Sequence, residues 1–96
     1  MNSEWFDNVL QRLGFYNSTL PLPKNDLGMT IFLKSRDIEI CYDFVDEHGW
    51  IYYGVDMQDR DCFTEDLEYY PDFNVCAQHA IMECMCYLLN KNEMIN

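Results

Sequence analysis

Basic residues are scarce in this chain and nearly absent from its middle third. Six Lys and Arg stand against seventeen Asp and Glu, which gives a formal net charge of −11. Between Asp37 and Asp72 the only base is Arg60. The twelve acids of that segment are Asp37, Glu39, Asp43, Asp46, Glu47, Asp56, Asp59, Asp61, Glu65, Asp66, Glu68 and Asp72. Because such a surface repels phosphates, the sequence argues against direct binding of nucleic acid or of an anionic membrane.

Long apolar runs, glycine clusters and a framework of paired cysteines are also missing. No run approaches the roughly 20 apolar residues of a membrane helix, and the N-terminus resembles no secretion signal. The four glycines are scattered, which argues against a glycine-rich phosphate loop. Five cysteines without regular spacing favour reduced thiols. We therefore expect a soluble protein of the bacterial cytoplasm, with a single domain over residues 1–96.

Apolar and aromatic residues are abundant, at 49% and 16% of the chain, as is typical of a folded protein. A first helix is predicted from an apolar stripe with a 3.6-residue period, and Gly14 is placed to end it. The stripe consists of Trp5, Phe6, Val9, Leu10 and Leu13. A last helix is predicted over about Val75 to Leu89, capped by Asp72 or Asn74, with an apolar face broad enough to cover a sheet.

Three segments between these helices have the pattern of strands: "MTIFL", "IEICYDF" and "WIYYGVDM". The second alternates cleanly between apolar and polar residues. In the third, Trp50 and Tyr52 are expected on the face opposite the core. The gaps "SRD" and "DEHG" suit hairpins. The predicted fold is α+β, a two-layer α-β-β-β-α domain in which a three-stranded antiparallel meander packs against N- and C-terminal helices.

The acidic middle third is interpreted as a binding surface for a basic partner. Asp37, Glu39 and Asp43 alternate along one strand, where two residues advance about 6.6–6.8 Å, similar to the repeat of phosphates along a nucleic-acid strand. Tyr69 and Tyr70 lie among the acids and are predicted to dock the partner. The remaining acids predicted to contact it are Asp46, Glu47, Asp56, Asp59, Asp61, Glu65, Asp66 and Glu68.

Two catalytic alternatives are weaker. Cys76, His79, Glu83 and Cys86 share one face of the last helix, but one straight helix spreads these ligand types over about 15 Å, too far for a tetrahedral metal site. The acids around Cys62 argue against a reactive thiolate. No catalytic residue, metal or cofactor is predicted, and the chain is expected not to be an enzyme.

Parts of the chain resemble three groups of known proteins. Two of these groups inhibit nucleic-acid-binding proteins, and the third consists of secretion chaperones. "DLEYYPD" resembles a short motif of the immunity proteins of nuclease bacteriocins, with Asp66, Leu67, Tyr69, Tyr70 and Pro71 as the matching residues. "NDLGMTIFLKSRDIEICYDFVDEHGWIYYGVDM" is similar in rhythm to the strands of specialised type III secretion chaperones. In size and acidity the chain resembles phage-encoded anti-CRISPR and anti-restriction proteins, which block basic nucleic-acid-binding grooves.

The sequence thus predicts a non-enzymatic inhibitor that imitates nucleic acid and blocks a basic nucleic-acid-binding protein. The expected partner is a nuclease or a defence effector complex, and the inhibitor itself is a monomer or a homodimer. The alternative is a small dimeric secretion chaperone or adaptor that binds its client through the apolar face of the last helix.

Overall fold

The computed structural model describes residues 3–17, 19, 21–63 and 68–94. The elements follow the order α1 (Ser3–Leu13), a 3₁₀ turn (Phe15–Asn17), α2 (Asp26–Ser35), β1 (Ile38–Val45), β2 (Gly49–Asp56), β3 (Asp61–Phe63) and α3 (Phe73–Met94). The strands form one antiparallel sheet in the order β1-β2-β3. The prediction of an α+β fold, with a three-stranded meander between terminal helices, is confirmed. None of the described helices is long and apolar enough to cross a membrane.

Helix α1 forms as its apolar stripe predicts. Phe6, Val9, Leu10 and Leu13 are buried, whereas Trp5 remains half exposed at the edge of the stripe. Gly14 ends the helix with a φ of 84°, and its N–H donates to the carbonyl of Gln11 at 3.1 Å. A left-handed residue at this point is favourable for glycine because no Cβ is present.

The prediction of a strand at "MTIFL" is wrong, because this segment belongs to α2. Asn25 caps the helix, and its side-chain oxygen accepts a hydrogen bond from the N–H of Gly28 at 2.8 Å. Met29, Phe32 and Leu33 are buried together, which is the i, i+3, i+4 spacing of a helix. A short apolar run does not distinguish a strand from a buried helix, so the capping residue is the more informative signal.

The third strand is instead β3, which lies inside the acidic run, in a segment where no strand was predicted. Gly54, Val55 and Asp56 of β2 pair with Phe63, Cys62 and Asp61. Farther along the same edge of β2, Trp50 and Tyr70 form an isolated antiparallel bridge. Its two N–H···O hydrogen bonds measure 2.7 and 2.8 Å.

The predicted face of β2 is also wrong. The turn at 46–48 aligns Tyr42 with Tyr52 and Ile38 with Asp56, so even-numbered residues of both strands share one face. Because Ile38 is buried in the core, the register directs Tyr52 to the helices as well. Tyr52 packs against Cys76 and Ala80 of α3. Tyr53 is exposed on the opposite face.

Helix α3 supplies much of the core and is longer than predicted. Asp72 caps it as expected, accepting a hydrogen bond from the N–H of Asn74 at 2.8 Å. Its buried residues are Cys76, Ala77, Ala80, Ile81, Cys84, Met85, Leu88 and Leu89. The apolar face of α3 is therefore occupied by the chain's own core.

Candidate protein-docking surface

The acids of the middle third lie close together in sequence, but the fold places them at two opposite ends of the sheet. Asp43, Asp46 and Glu47 lie at or beside the β1–β2 turn, whereas Asp37 and Asp56 lie where β1 begins and β2 ends. Eight paired residues at about 3.4 Å per residue place these ends about 24 Å apart. Asp59 and Asp61 belong to the end away from the hairpin, which we call the opposite end.

At the opposite end, Asp56 is not on the surface at all: it is 0% exposed. Its carboxylate accepts hydrogen bonds from the hydroxyl of Tyr87 at 2.8 Å and from Nζ of Lys91 at 2.7 Å. The N–H of Gln58 donates to it at 3.1 Å. Asp56 therefore organises the junction between β2 and α3, and its prediction as a partner-contacting residue is corrected.

The charge of Asp56 is stabilised in place. Burial on its own would raise the pKa of this carboxyl, but hydrogen bonds from Lys91, Tyr87 and the backbone outweigh burial and hold the pKa below its usual value. Lys91 also lies 3.2 Å from Asp59. One lysine thus partly neutralises two of the acids predicted to face a partner.

The acids at the hairpin are placed differently. Asp43, Asp46 and Glu47 are exposed. None of the ion pairs within the described residues involves these three carboxylates or those of Glu68 and Asp72. No Lys or Arg of the described residues forms an ion pair with these carboxylates, although that of Glu68 accepts a hydrogen bond from the hydroxyl of Tyr70.

Exposed aromatic rings accompany these acids. Phe44 is 52% exposed, Tyr69 is 46% exposed and Phe73 is 40% exposed. The rings are held by edge-to-face contacts, with centroid distances of 5.3 Å for Phe44–Trp50 and 4.8 Å for Trp50–Phe73. His48 lies 5.0 Å from the ring of Tyr69.

Acids and rings alternate along the chain here, since Asp43 precedes Phe44, Glu68 precedes Tyr69 and Asp72 precedes Phe73. We call this the hairpin-end surface. It comprises Asp43, Phe44, Asp46, Glu47, His48, Trp50, Glu68, Tyr69, Asp72 and Phe73. Apolar groups surrounded by polar ones are the usual composition of a protein interface.

The bridge between Trp50 and Tyr70 holds the segment 68–72 against β2. Gly49 makes the approach possible, because a Cβ at this position would lie 2.5 Å from the carbonyl oxygen of Tyr70, and its φ is 114°. The bridge turns Tyr70 inward, where its ring stacks on His79 at 4.9 Å. The two tyrosines predicted to dock a partner therefore differ: Tyr69 is on the surface, and Tyr70 packs partly inside.

The predicted row of phosphate-like acids is short. Glu39 and Asp43 lie on the outer face of the sheet, whereas Asp37 lies in the preceding turn with a φ of 64°. The cross-strand partners of Glu39 and Asp43 are the apolar residues Val55 and Ile51. Glu65 and Asp66, also predicted to contact a partner, lie outside the described residues.

Two of the residues considered as possible metal ligands take part in the packing and hydrogen bonding of the fold. Cys76 is buried, and burial raises the pKa of its thiol. Glu83 accepts a hydrogen bond from the hydroxyl of Tyr52. Within the ranges that the structure describes, no three His, Cys, Asp or Glu side chains are grouped closely enough to share a metal ion.

No protein-family model, curated protein or solved structure matches this chain. The resemblances drawn from short motifs and from rhythm therefore stay predictions. Function has to be inferred from the surface itself.

Sequence reasoning missed Phe44 and Phe73 as surface residues. Phe44 continues the apolar alternation of β1 and shares a face with the buried Ile38, but it lies near the end of the strand and is 52% exposed. Phe73 directly follows the capping residue Asp72, and the first turn of a helix often extends beyond the core. Their adjacency to Asp43 and Asp72 was the available signal.

Proposed function

We propose that this protein is a non-enzymatic inhibitor that binds a basic, nucleic-acid-binding protein and blocks its nucleic-acid site. The observation that carries the proposal is the hairpin-end surface, where exposed carboxylates outside any ion pair of the described residues lie at the same end of the sheet as exposed aromatic rings. Acids accelerate the encounter with a basic partner, and desolvated rings hold the complex. The partner is a nuclease or a defence effector complex in the bacterial cytoplasm.

The geometry modifies the proposed mimicry. A duplex presents two continuous rows of phosphates, whereas here the exposed acids form two groups: Asp43, Asp46 and Glu47 at the hairpin, and Asp37, Asp59 and Asp61 at the opposite end. Exposed aromatic rings accompany the group at the hairpin. Competition with nucleic acid therefore arises from occupying part of a basic groove with charge and aromatic area together. The net charge of −11 disfavours direct contact with nucleic acid or anionic lipid.

The alternative of a dimeric chaperone or adaptor required a free apolar face on the last helix. In α3, Ala80, Ile81 and Met85 of that face are buried in the chain's own core. The hairpin-end surface is thus the better supported contact.

The test uses two double variants with the same change in net charge. Asp43→Lys/Asp46→Lys alters the hairpin-end surface, and Asp59→Lys/Asp61→Lys alters the opposite end. Immobilised wild-type protein is used to capture partners from a lysate of the source organism, followed by washes with rising salt or with competing duplex DNA. We expect a basic protein that is released by salt and displaced by DNA.

The variants then show which end of the sheet contacts the partner. The hairpin-end double variant should lose the captured protein, whereas the opposite-end variant should retain it with only a slower association. Capture that resists both salt and DNA, or that is unaffected by the hairpin-end charges, would refute the proposal. Thermal melts of both variants exclude unfolding as the cause.

A further inference from the structure

Strand β1 forms one edge of the sheet, and it pairs with β2 alone. The N–H of Met57 donates to the carbonyl of Asp37 at 2.8 Å, so the odd-numbered residues of this strand pair exchange the hydrogen bonds. The N–H and C=O groups of the even-numbered residues Ile40, Tyr42 and Phe44 therefore point away from β2. No backbone hydrogen bond within the described residues reaches these outer groups.

This edge lacks most of the features that usually protect an edge strand. β1 is eight residues long, and its register with β2 continues from Ile38 to Val45 without a bulge. The strand contains no proline and no lysine. Natural edge strands are commonly short, bulged or interrupted by such residues, because an open edge otherwise pairs with other extended chains. The only charged side chains along β1 are Glu39 and Asp43.

These two acids select by charge which chain can pair with the edge. Glu39 and Asp43 lie on one face of β1, four residues or about 14 Å apart, and neither forms an ion pair within the described residues. Against an added antiparallel strand, both would lie between the hydrogen-bonded pairs, where facing side chains approach most closely. Facing lysines or arginines stabilise such a pairing, and facing acids destabilise it. A second copy of this chain, with a net charge of −11, is therefore disfavoured.

We infer that the outer edge of β1 receives an extended basic segment of the partner as a fourth strand of the sheet. Strand addition of this kind obtains affinity from main-chain hydrogen bonds and specificity from alternate side chains. The edge is continuous with the hairpin-end surface, since Asp43 and Phe44 belong to both. This strand addition rests on the proposed function, to which it adds the way in which the partner is held.

The test titrates the isotope-labelled protein with the synthetic peptide Val-Lys-Val-Thr-Val-Lys-Val, acetylated and amidated at its ends. Its lysines are four residues apart on one face, as Glu39 and Asp43 are. In the free protein, the amide hydrogens of Ile40, Tyr42 and Phe44 should exchange rapidly with solvent, whereas those of the odd-numbered residues between them are protected by β2. At saturation, the peptide should slow exchange of the three edge amides at least about tenfold.

Two methylated forms of the peptide separate strand pairing from charge. N-methylation of the two central valines removes N–H groups that face β1 when the lysines face the acids, so the affinity should fall at least about tenfold. N-methylation of the threonine and the second lysine removes as many N–H groups on the far side and should leave the affinity nearly unchanged. A peptide with glutamates in place of both lysines should not bind measurably.

Variants of β1 make the same distinction in the protein. Tyr42→Pro removes the central N–H of the edge, whereas Tyr42→Ala loses the same ring and keeps this N–H. Proline is tolerated in an edge strand where its N–H would face solvent. Tyr42→Pro should therefore bind the peptide at least about tenfold more weakly than Tyr42→Ala. If Tyr42→Pro does not fold, the methylated peptides still test the pairing on the wild-type protein.

Three results would overturn the inference. They are equal binding of the two methylated peptides, unchanged exchange of the edge amides at saturating peptide, and protection of these amides that grows with protein concentration alone. The third result would make a second copy of the chain the occupant of the edge.

The outcome is separable from the proposed function. If a basic partner meets the salt and DNA criteria but the peptide does not protect the edge amides, the edge is refuted and the hairpin-end surface stands. If the peptide adds as a strand but no captured protein meets those criteria, the edge stands as a site for basic strands, and its assignment to the partner is refuted.

Discussion

At the opposite end of the sheet, Asp56 is enclosed by Tyr87 and Lys91, whereas at the hairpin Asp46 and Glu47 face solvent beside exposed rings. Both ends come from one acidic stretch of sequence, yet their carboxylates have different roles. A carboxylate that receives several hydrogen bonds and a lysine stabilises the fold, while carboxylates without a counter-charge project a field outward. Acid content alone therefore does not identify a binding surface.

The largest expected loss of stability comes from a substitution at the opposite end of the sheet. Asp56→Ala should reduce the free energy of unfolding by about 3 kcal/mol, because it removes the buried acceptor of Tyr87 and Lys91. Asp46→Ala, at the exposed hairpin turn, should change it by less than about 0.5 kcal/mol. Urea denaturation of both variants measures the difference, and equal effects would contradict the contrast between the two ends.

The pH dependence sharpens this prediction. The pKa of Asp56 is lowered in the folded protein relative to 3.8, its value in an unfolded chain. Its contribution to stability is therefore complete above that value and is lost as the pH falls through the folded-state pKa. The stability gap between wild type and Asp56→Ala should accordingly narrow in acid.

The next effect concerns how the hairpin end is held. Gly49→Ala should destabilise the protein by about 3 kcal/mol and release Tyr70 from Trp50, because the new Cβ would meet the carbonyl of Tyr70 at a positive φ. Gly14→Ala is the matched control. It also has a positive φ, but no atom of the described residues lies within 4 Å of the added Cβ, so we expect a loss of about 1 kcal/mol. Thermal unfolding and amide exchange at Trp50 distinguish the two, and similar costs would refute the steric role of Gly49.

The smallest effect on stability should accompany a large effect on binding. Phe44→Ala should change the free energy of unfolding by less than about 1 kcal/mol. It should lower the affinity for the basic partner at least about tenfold. Met57→Ala is the control, since Met57 is 49% exposed but lies at the opposite end. Binding assays with the captured partner compare the two, and equal losses would mean that exposed apolar area matters irrespective of its place.

Much of the fold was predictable because its signals are local. The stripe of α1, the cap at Asp72 and the hairpin around Gly49 each depend on residues within a few positions of one another. The face of β2 was not predictable in the same way. Both of its faces carry apolar residues, so only the pairing of Tyr42 with Tyr52 decides which face packs against the helices.

The candidate site divides similarly. The acidic segment and the exposed Tyr69 were recognisable from the sequence, whereas the burial of Asp56 was not. Asp56 and Lys91 are 35 residues apart in the chain, and no local pattern signals that a lysine near the end of α3 reaches the end of β2.

Local sequence accounts for the extreme charge, its concentration in the middle third, the terminal helices and the central hairpin. These follow from composition and short-range periodicity, which act before any tertiary contact forms. Tertiary contacts set which acids face solvent, which tyrosine points outward and where aromatic rings meet carboxylates. Those outcomes depend on strand register and on the docking of α3, and both are set by the simultaneous packing of distant segments.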